Sequence, residues 1–176
     1  MSQLGGRAVK RIVFSEEDVR ARVSELAQEI SEAYSDDDRL LVLGLLKGSF
    51  MFTADLVRRI ELPLQIDFMV VSSYGKEKTS SGDVRLHYDP ASSLEGRAVL
   101  LVEDIVDSGT TLERLIPRLK ARNPSSVEVC TLLHKRAPSA AHEPRWVGFD
   151  APNEFLVGYG LDHAEDFRHL PYIASL

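Results

Sequence analysis

Residues 98–112 read AVLLVEDIVDSGTTL, and this stretch decides the fold. Ala98 to Val102 is an unbroken apolar run, the pattern of a strand buried on both faces in a parallel sheet. The run meets Glu103, Asp104 and Asp107, then Ser108-Gly109-Thr110-Thr111, then apolar residues at helical spacing, Leu112, Leu115, Ile116 and Leu119. Ligands of open α/β sheets collect at the carboxyl ends of strands, which is where this polar cluster falls. Ser108 to Thr111 offer hydroxyls and backbone N–H groups at a helix N-terminus, with a glycine that permits close approach; that is a phosphate cradle. Three carboxylates in five residues repel phosphate, but they suit a ribose diol, a divalent cation or a proton to be removed. A plain helix cap needs only one hydroxyl or carboxylate, so capping leaves most of the cluster unexplained.

Working outward, Leu40 to Leu46 reads as a second buried strand. It runs through Lys47-Gly48-Ser49 into a helical pattern over Phe50 to Ile60, a strand–turn–helix that is either an ordinary connection or a second anion site. No G-x-x-x-x-G-K-[ST] occurs, which argues against a nucleotide-triphosphate P-loop. Upstream, Val9 to Phe14 reads as a short strand, and Ser15 with Asp18 forms a carboxylate variant of the capping box. The helix it opens is amphipathic through Val19, Val23, Leu26, Ile30 and Ala33, and Asp36-Asp37-Asp38 reads as a solvated turn. Leu64 to Val71 is a strand; the polar segment Ser72 to Val84 is either a plain mobile connection or a lid that excludes water. Pro117 lies inside the helix after the central motif, where it removes a hydrogen bond and is expected to kink it. Val127 to Leu133 is a further strand, ending at His134-Lys135-Arg136. Trp146 to Phe149 and Phe155 to Leu161 are the last apolar runs. By residue type alone, Lys135 is a solvent-facing strand end and Phe155 a core residue.

At 176 residues the chain is long enough for one domain with a sizeable core. Its apolar runs are too short to span a bilayer, and MSQLGGRAVKRI lacks the apolar core of a secretory signal. Cys130 is the single cysteine and sits in an apolar run, as a buried structural thiol does. These features lead us to expect a cytoplasmic protein. A net charge of −6 disfavours both a nucleic-acid surface and a bare polyanionic substrate, which strengthens the case for Mg²⁺ at the acidic cluster. The five histidines show no metal-ligand spacing, which argues against zinc.

The 98–112 segment resembles the phosphoribosyl diphosphate (PRPP) loop of the type I phosphoribosyltransferases. Leu46-Lys47-Gly48-Ser49 resembles the pyrophosphate loop of the hypoxanthine (hypoxanthine-guanine) branch, where the peptide before the lysine can be cis. The likeness extends to Arg168. It implies an α/β fold, a mostly parallel twisted sheet flanked by helices, in a single domain over 1–176 with a small hood largely from the C-terminal segment. It also implies purine salvage: transfer of the 5-phosphoribosyl group from PRPP to hypoxanthine or guanine, giving IMP or GMP and pyrophosphate. By the same resemblance, Glu103 and Asp104 hold the ribose hydroxyls, Asp107 is the catalytic general base, and Ser108, Gly109, Thr110 and Thr111 bind the 5′-phosphate. Lys47, Gly48 and Arg168 contact pyrophosphate; Lys135 donates to the purine O6, Phe155 stacks on the base, Leu156 reads its edge, and Asp162 lies near base and metal. Mg²⁺ falls to Glu103, Asp104 and Asp162, and Ser73-Tyr74 begin a catalytic flexible loop. The expected partners are PRPP and a 6-oxopurine, without nucleic acid or membrane, in a homo-dimer or homo-tetramer. A preference for xanthine or guanine, an RNA-binding regulator on the same fold, and a catalytically silent PRPP sensor are the competing readings.

Overall fold

The computed structural model describes residues 9–35, 38–73, 84–136 and 142–176. Nine strands and three helices follow in the order β1 (Arg11–Phe14), α1 (Glu16–Ala33), β2 (Leu40–Leu46), α2 (Phe50–Val57), β3 (Leu64–Ser73), β4 (Val84–Tyr88), β5 (Ala98–Val106), α3 (Thr110–Lys120), β6 (Ser126–His134), β7 (Trp146–Asp150), β8 (Leu156–Val157) and β9 (Ile173–Ser175) among the described residues. Six strands make the main sheet in the order β4-β3-β2-β5-β6-β7. All its pairings are parallel except β3 with β4.

Continuous apolar strands are explained by cover on both faces. Alternate side chains of one strand point to opposite faces. Leu40, Val42, Leu100 and Val102 therefore pack with Val23, Leu26 and Ile30 of α1 and with Phe52 and Leu56 of α2. Leu41, Leu43, Val99 and Leu101 pack instead with Leu112, Leu115, Ile116 and Leu119 of α3. Helix α1 opens on the expected capping box: the Asp18 N–H donates to Ser15 Oγ (3.1 Å) and the Ser15 N–H to Asp18 Oδ2 (2.9 Å). Asp38 closes the following turn by accepting from the Ser35 N–H at 2.6 Å; Asp36 and Asp37 lie outside the described residues. Cys130 is fully buried, as expected for a structural thiol.

The hood is a separate antiparallel sheet in the order β1-β9-β8. Its C-terminal strands are joined by the N-terminal one, and Phe14 stacks on Phe149 of β7 at 4.2 Å between ring centroids.

Three sequence expectations are corrected. Strand β5 does not stop at Val102 but runs to Val106, because Glu103, Ile105 and Val106 keep pairing with Thr131, Leu133 and His134. Helix α2 ends at Val57, short of Ile60. Helix α3 includes Pro117, as the helical spacing predicts, with the proline exposed and its carbonyl accepting from the Ala121 N–H at 3.0 Å. The segment read as a loop from Ser72 to Val84 begins inside β3, and Val84 opens β4. Tyr74 and the rest of that segment to Asp83 lie outside the described residues.

Candidate active site

Strands β2, β5 and β6 are neighbours in the sheet, so the segments that follow them meet along its carboxyl edge. After β5, Asp107 is exposed and Lys135, the first residue after β6, donates from Nζ to Asp107 Oδ2 at 2.8 Å. The Lys135 N–H donates to the Val106 carbonyl at 2.9 Å, so backbone as well as side chain ties the two strand ends together. Gly109 caps α3 with φ +79, the left-handed region that glycine enters freely. Ser108 Oγ and Thr110 Oγ1 lie 2.9 Å apart in front of that helix end, with Thr111 half-buried behind them. The first N–H groups of a helix have no intrahelical partner and carry its positive end, so an anion is stabilised there.

Glu103 is 6% exposed and its Oε2 has no hydrogen-bond partner. Burial, with the Asp104 charge adding to it, pushes its pKa up to about 8. Burial also pushes Asp104 up to about 6, against backbone N–H donors and the Arg168 charge. A carboxyl that holds its proton more tightly when folded costs stability as pH rises. Here the window runs from the ordinary carboxylate range to about pH 8. Glu103→Gln, neutral at every pH, is therefore expected to melt higher than the parent by about 5–10 °C at pH 9 and by little at pH 5. Equal melting gaps at pH 5, 7 and 9 in a fluorimetric melt would refute the buried, protonated Glu103.

The Lys47-Gly48 loop closes against this acidic edge. The Leu46–Lys47 peptide is cis. A Cβ placed on Gly48 falls 1.7 Å from Asp104 Oδ2, and one placed on Gly160 falls 2.0 Å from the Gly48 carbonyl oxygen. Only glycines allow the hood loop, the Lys47 loop and Asp104 to touch. The hood turn brings in Arg168, which donates to the Gly160 carbonyl (2.8 Å) and pairs with Asp162 (2.8 Å). Glu165, which the sequence reading missed, bridges Lys47 Nζ (3.1 Å) and Arg168 Nη2 (3.3 Å) through a single oxygen, Oε2.

Phe155 is 55% exposed rather than core, and its ring meets His163 edge-on at 5.2 Å. Leu156 is buried in β8, paired with Ser175. Ser73 is the last residue of β3; Tyr74 lies outside the described residues. Among the described residues no three His, Cys, Asp or Glu side chains converge as metal ligands. Asp162 is turned onto Arg168 and the Glu165 N–H, and adjacent strand positions send Glu103 and Asp104 to opposite faces. The donor set still fits a hard cation: all its atoms are oxygens, and Glu103 Oε2 is unpartnered. Mg²⁺ takes one or two carboxylates and completes its shell with substrate phosphate and water.

A parallel sheet whose strand ends carry an acidic pair, a helix-terminal anion cradle and a cationic loop defines the class, and the comparisons agree. The phosphoribosyl transferase domain family matches residues 13–164, and the chain belongs to it. Its relatives place it beside the hypoxanthine branch. It is 46% identical to the hypoxanthine-guanine phosphoribosyltransferase of Dictyostelium discoideum over 171 residues, covering 95% of each chain. It is 47% identical to the hypoxanthine phosphoribosyltransferase of Haemophilus influenzae over 168 residues, covering 94% of each. A crystal structure of the Staphylococcus aureus hypoxanthine phosphoribosyltransferase superposes with a TM-score of 0.89 at 43% identity, covering 96% of this chain and 91% of that one.

Proposed function

We infer that the chain is a hypoxanthine phosphoribosyltransferase of purine salvage. It moves the 5-phosphoribosyl group of PRPP onto hypoxanthine and guanine, giving IMP or GMP and pyrophosphate. The carrying observation is the Lys135–Asp107 pair at the ends of two neighbouring strands, beside the helix-terminal cradle of Ser108 to Thr111. An ammonium donor next to a carboxylate acceptor suits a 6-oxopurine, which presents a carbonyl oxygen and a ring N–H. Adenine offers an amino group where Lys135 needs an acceptor.

In the reaction a purine ring nitrogen attacks the anomeric carbon, the bond from that carbon to the pyrophosphate oxygen breaks, and the purine proton passes to Asp107. Glu103 and Asp104 hold the ribose hydroxyls as positive charge develops on the sugar, and Ser108, Gly109, Thr110 and Thr111 bind the 5′-phosphate. Lys47, the Gly48 backbone and Arg168 receive the departing pyrophosphate. Phe155 offers its exposed face for stacking on the base, Leu156 backbone groups read the base edge, and Ser73-Tyr74 begin the loop that shields the reacting centre. When bound, Mg²⁺ would neutralise the diphosphate and stabilise it as a leaving group; of Glu103, Asp104 and Asp162, one or two would hold it, with substrate phosphate and water completing the shell. We place the enzyme in the cytoplasm, as a single domain over 1–176 that assembles into a homo-dimer or homo-tetramer. No described helix is long and apolar enough to cross a membrane.

The test is pyrophosphate release from PRPP and Mg²⁺ with hypoxanthine, guanine, xanthine, adenine or uracil supplied separately. Turnover with hypoxanthine or guanine and little with adenine or uracil is expected. Dominant turnover with xanthine would change the substrate assignment. Silence with every base would reject catalysis in favour of a PRPP sensor or RNA-binding regulator.

A further inference from the structure

We propose that Glu165 is a built-in competitor for pyrophosphate: its carboxylate occupies Lys47 and Arg168 until a diphosphate displaces it. The proposal rests on the pyrophosphate role given above to those two cations. One oxygen, Glu165 Oε2, meets both, at 3.1 Å from Lys47 Nζ and 3.3 Å from Arg168 Nη2. The two cations come from segments far apart in sequence, the loop after β2 and the hood turn. A single anionic oxygen bridging them makes the contact that an oxygen of a bound diphosphate would make.

The turn that carries Glu165 is shaped to put it there. His163 and Asp166 exchange both backbone hydrogen bonds at 3.2 Å, leaving Ala164 and Glu165 as the two central residues. Both have positive φ, +54 and +69. This is the pattern of a type I′ turn, which ordinarily takes Asn and Gly. Local propensity therefore does not account for Ala-Glu at these positions, and unusual backbone of this kind gathers at functional sites. The Glu165 N–H donates to Asp162 Oδ2 at 2.8 Å, which locks the turn against the same carboxylate that holds Arg168.

The bridge is also built to open. The side chains of Lys47 and Glu165 are 65% and 67% exposed, and pairs of such exposure add little to folding. A diphosphate with several charges, engaging both cations and the Gly48 backbone, outcompetes one carboxylate. Once displaced, the carboxylate remains beside the bound anion and repels it, which favours release of the product.

The experiment is titration calorimetry of the full-length protein with inorganic pyrophosphate, with and without Mg²⁺, for the parent, Glu165→Gln and Glu165→Asp. The Gln variant keeps the size and loses the charge; it is expected to bind pyrophosphate about three- to tenfold more tightly. The Asp variant keeps the charge but is one methylene too short to bridge, and is expected to fall between. The KM for PRPP is expected to drop with the same order, while the KM for hypoxanthine stays within twofold. Raising the salt concentration should narrow the gap between parent and Gln variant. Unchanged or weaker pyrophosphate binding in Glu165→Gln would overturn the proposal and make Glu165 a support that orients the two cations. Failure of the parent itself to bind pyrophosphate would instead overturn the assignment of Lys47 and Arg168.

Discussion

Replacing Asp107 with asparagine is expected to lower kcat for hypoxanthine by about 10²–10³-fold, within the span that positioned acid–base groups supply. The substitution keeps the shape and an acceptor oxygen, so Lys135 Nζ, now 2.8 Å from Asp107 Oδ2, retains a partner. What is lost is the proposed ability to take the purine proton. The fold should not notice, because Asp107 is 66% exposed and a pair of that kind contributes about 0–1 kcal/mol. Two readings separate this from a general loss of structure. The melting temperature stays within a few degrees, and the KM for PRPP changes little because the base end of the site is the part altered. A Glu variant with partial activity would fit an acceptor displaced by one methylene. Full turnover in Asp107→Asn would remove the general base from this mechanism and leave proton transfer to water.

The legible parts of this fold are those where local pattern and tertiary environment agree. Leu40 to Leu46 and Ala98 to Val102 are apolar at every position because α1 and α2 cover one sheet face and α3 the other. The Ser15–Asp18 capping box is local and so can be read locally. The Phe155 reading by residue type failed because the ring stays outside the core, 55% exposed and edge-on to His163. Strand β5 looked short because Glu103 and Asp104 break the apolar run, whereas the backbone ladder to β6 is indifferent to side-chain polarity and continues to Val106. Strand β4 was invisible because Val84 to Tyr88 lies at the sheet edge, where one partner, β3, is enough to hold an alternating polar segment.

The site divides in the same way. Residues 103–111 and the Lys47 loop are contiguous, and their residue types alone suggest anion and diol binding. Glu165 on Lys47 and Gly160 on Gly48 are contacts across more than a hundred residues, each made by a turn with positive φ that no periodicity encodes. The meeting of Lys135 with Asp107 is intermediate. Each lies at a strand end, and only the adjacency of β5 and β6 turns two strand-end residues into one donor–acceptor pair.

Gly48→Ala is expected to cost about a hundredfold in kcat/KM for PRPP while leaving the protein folded. The backbone at Gly48 is not left-handed, so the substitution is not opposed by conformation; it is opposed by space. The added methyl would sit 1.7 Å from Asp104 Oδ2 and 2.5 Å from its Cγ, so one group has to leave. The loop cannot retreat, because the Gly48 carbonyl already lies so close to Gly160 that no side chain fits between them. Asp104 is therefore the group that moves, away from its backbone N–H donors and out of the position from which we propose it holds the ribose. Displacing a positioned group by about 1 Å costs on the order of a hundredfold in rate. The loss should appear with both purines alike, since the base contacts proposed above lie at Asp107 and Lys135. It should appear in PRPP affinity as well as kcat, because the proposed hold on the ribose hydroxyls acts in ground and transition states alike. Since Asp104 carries a pKa raised to about 6 by burial, moving it toward solvent is expected to shift any acidic limb due to this group to lower pH. A Gly48→Ala enzyme with parental kcat/KM would show that the Asp104 carboxylate is free to shift without consequence, and the ribose-holding role would then rest on Glu103 alone.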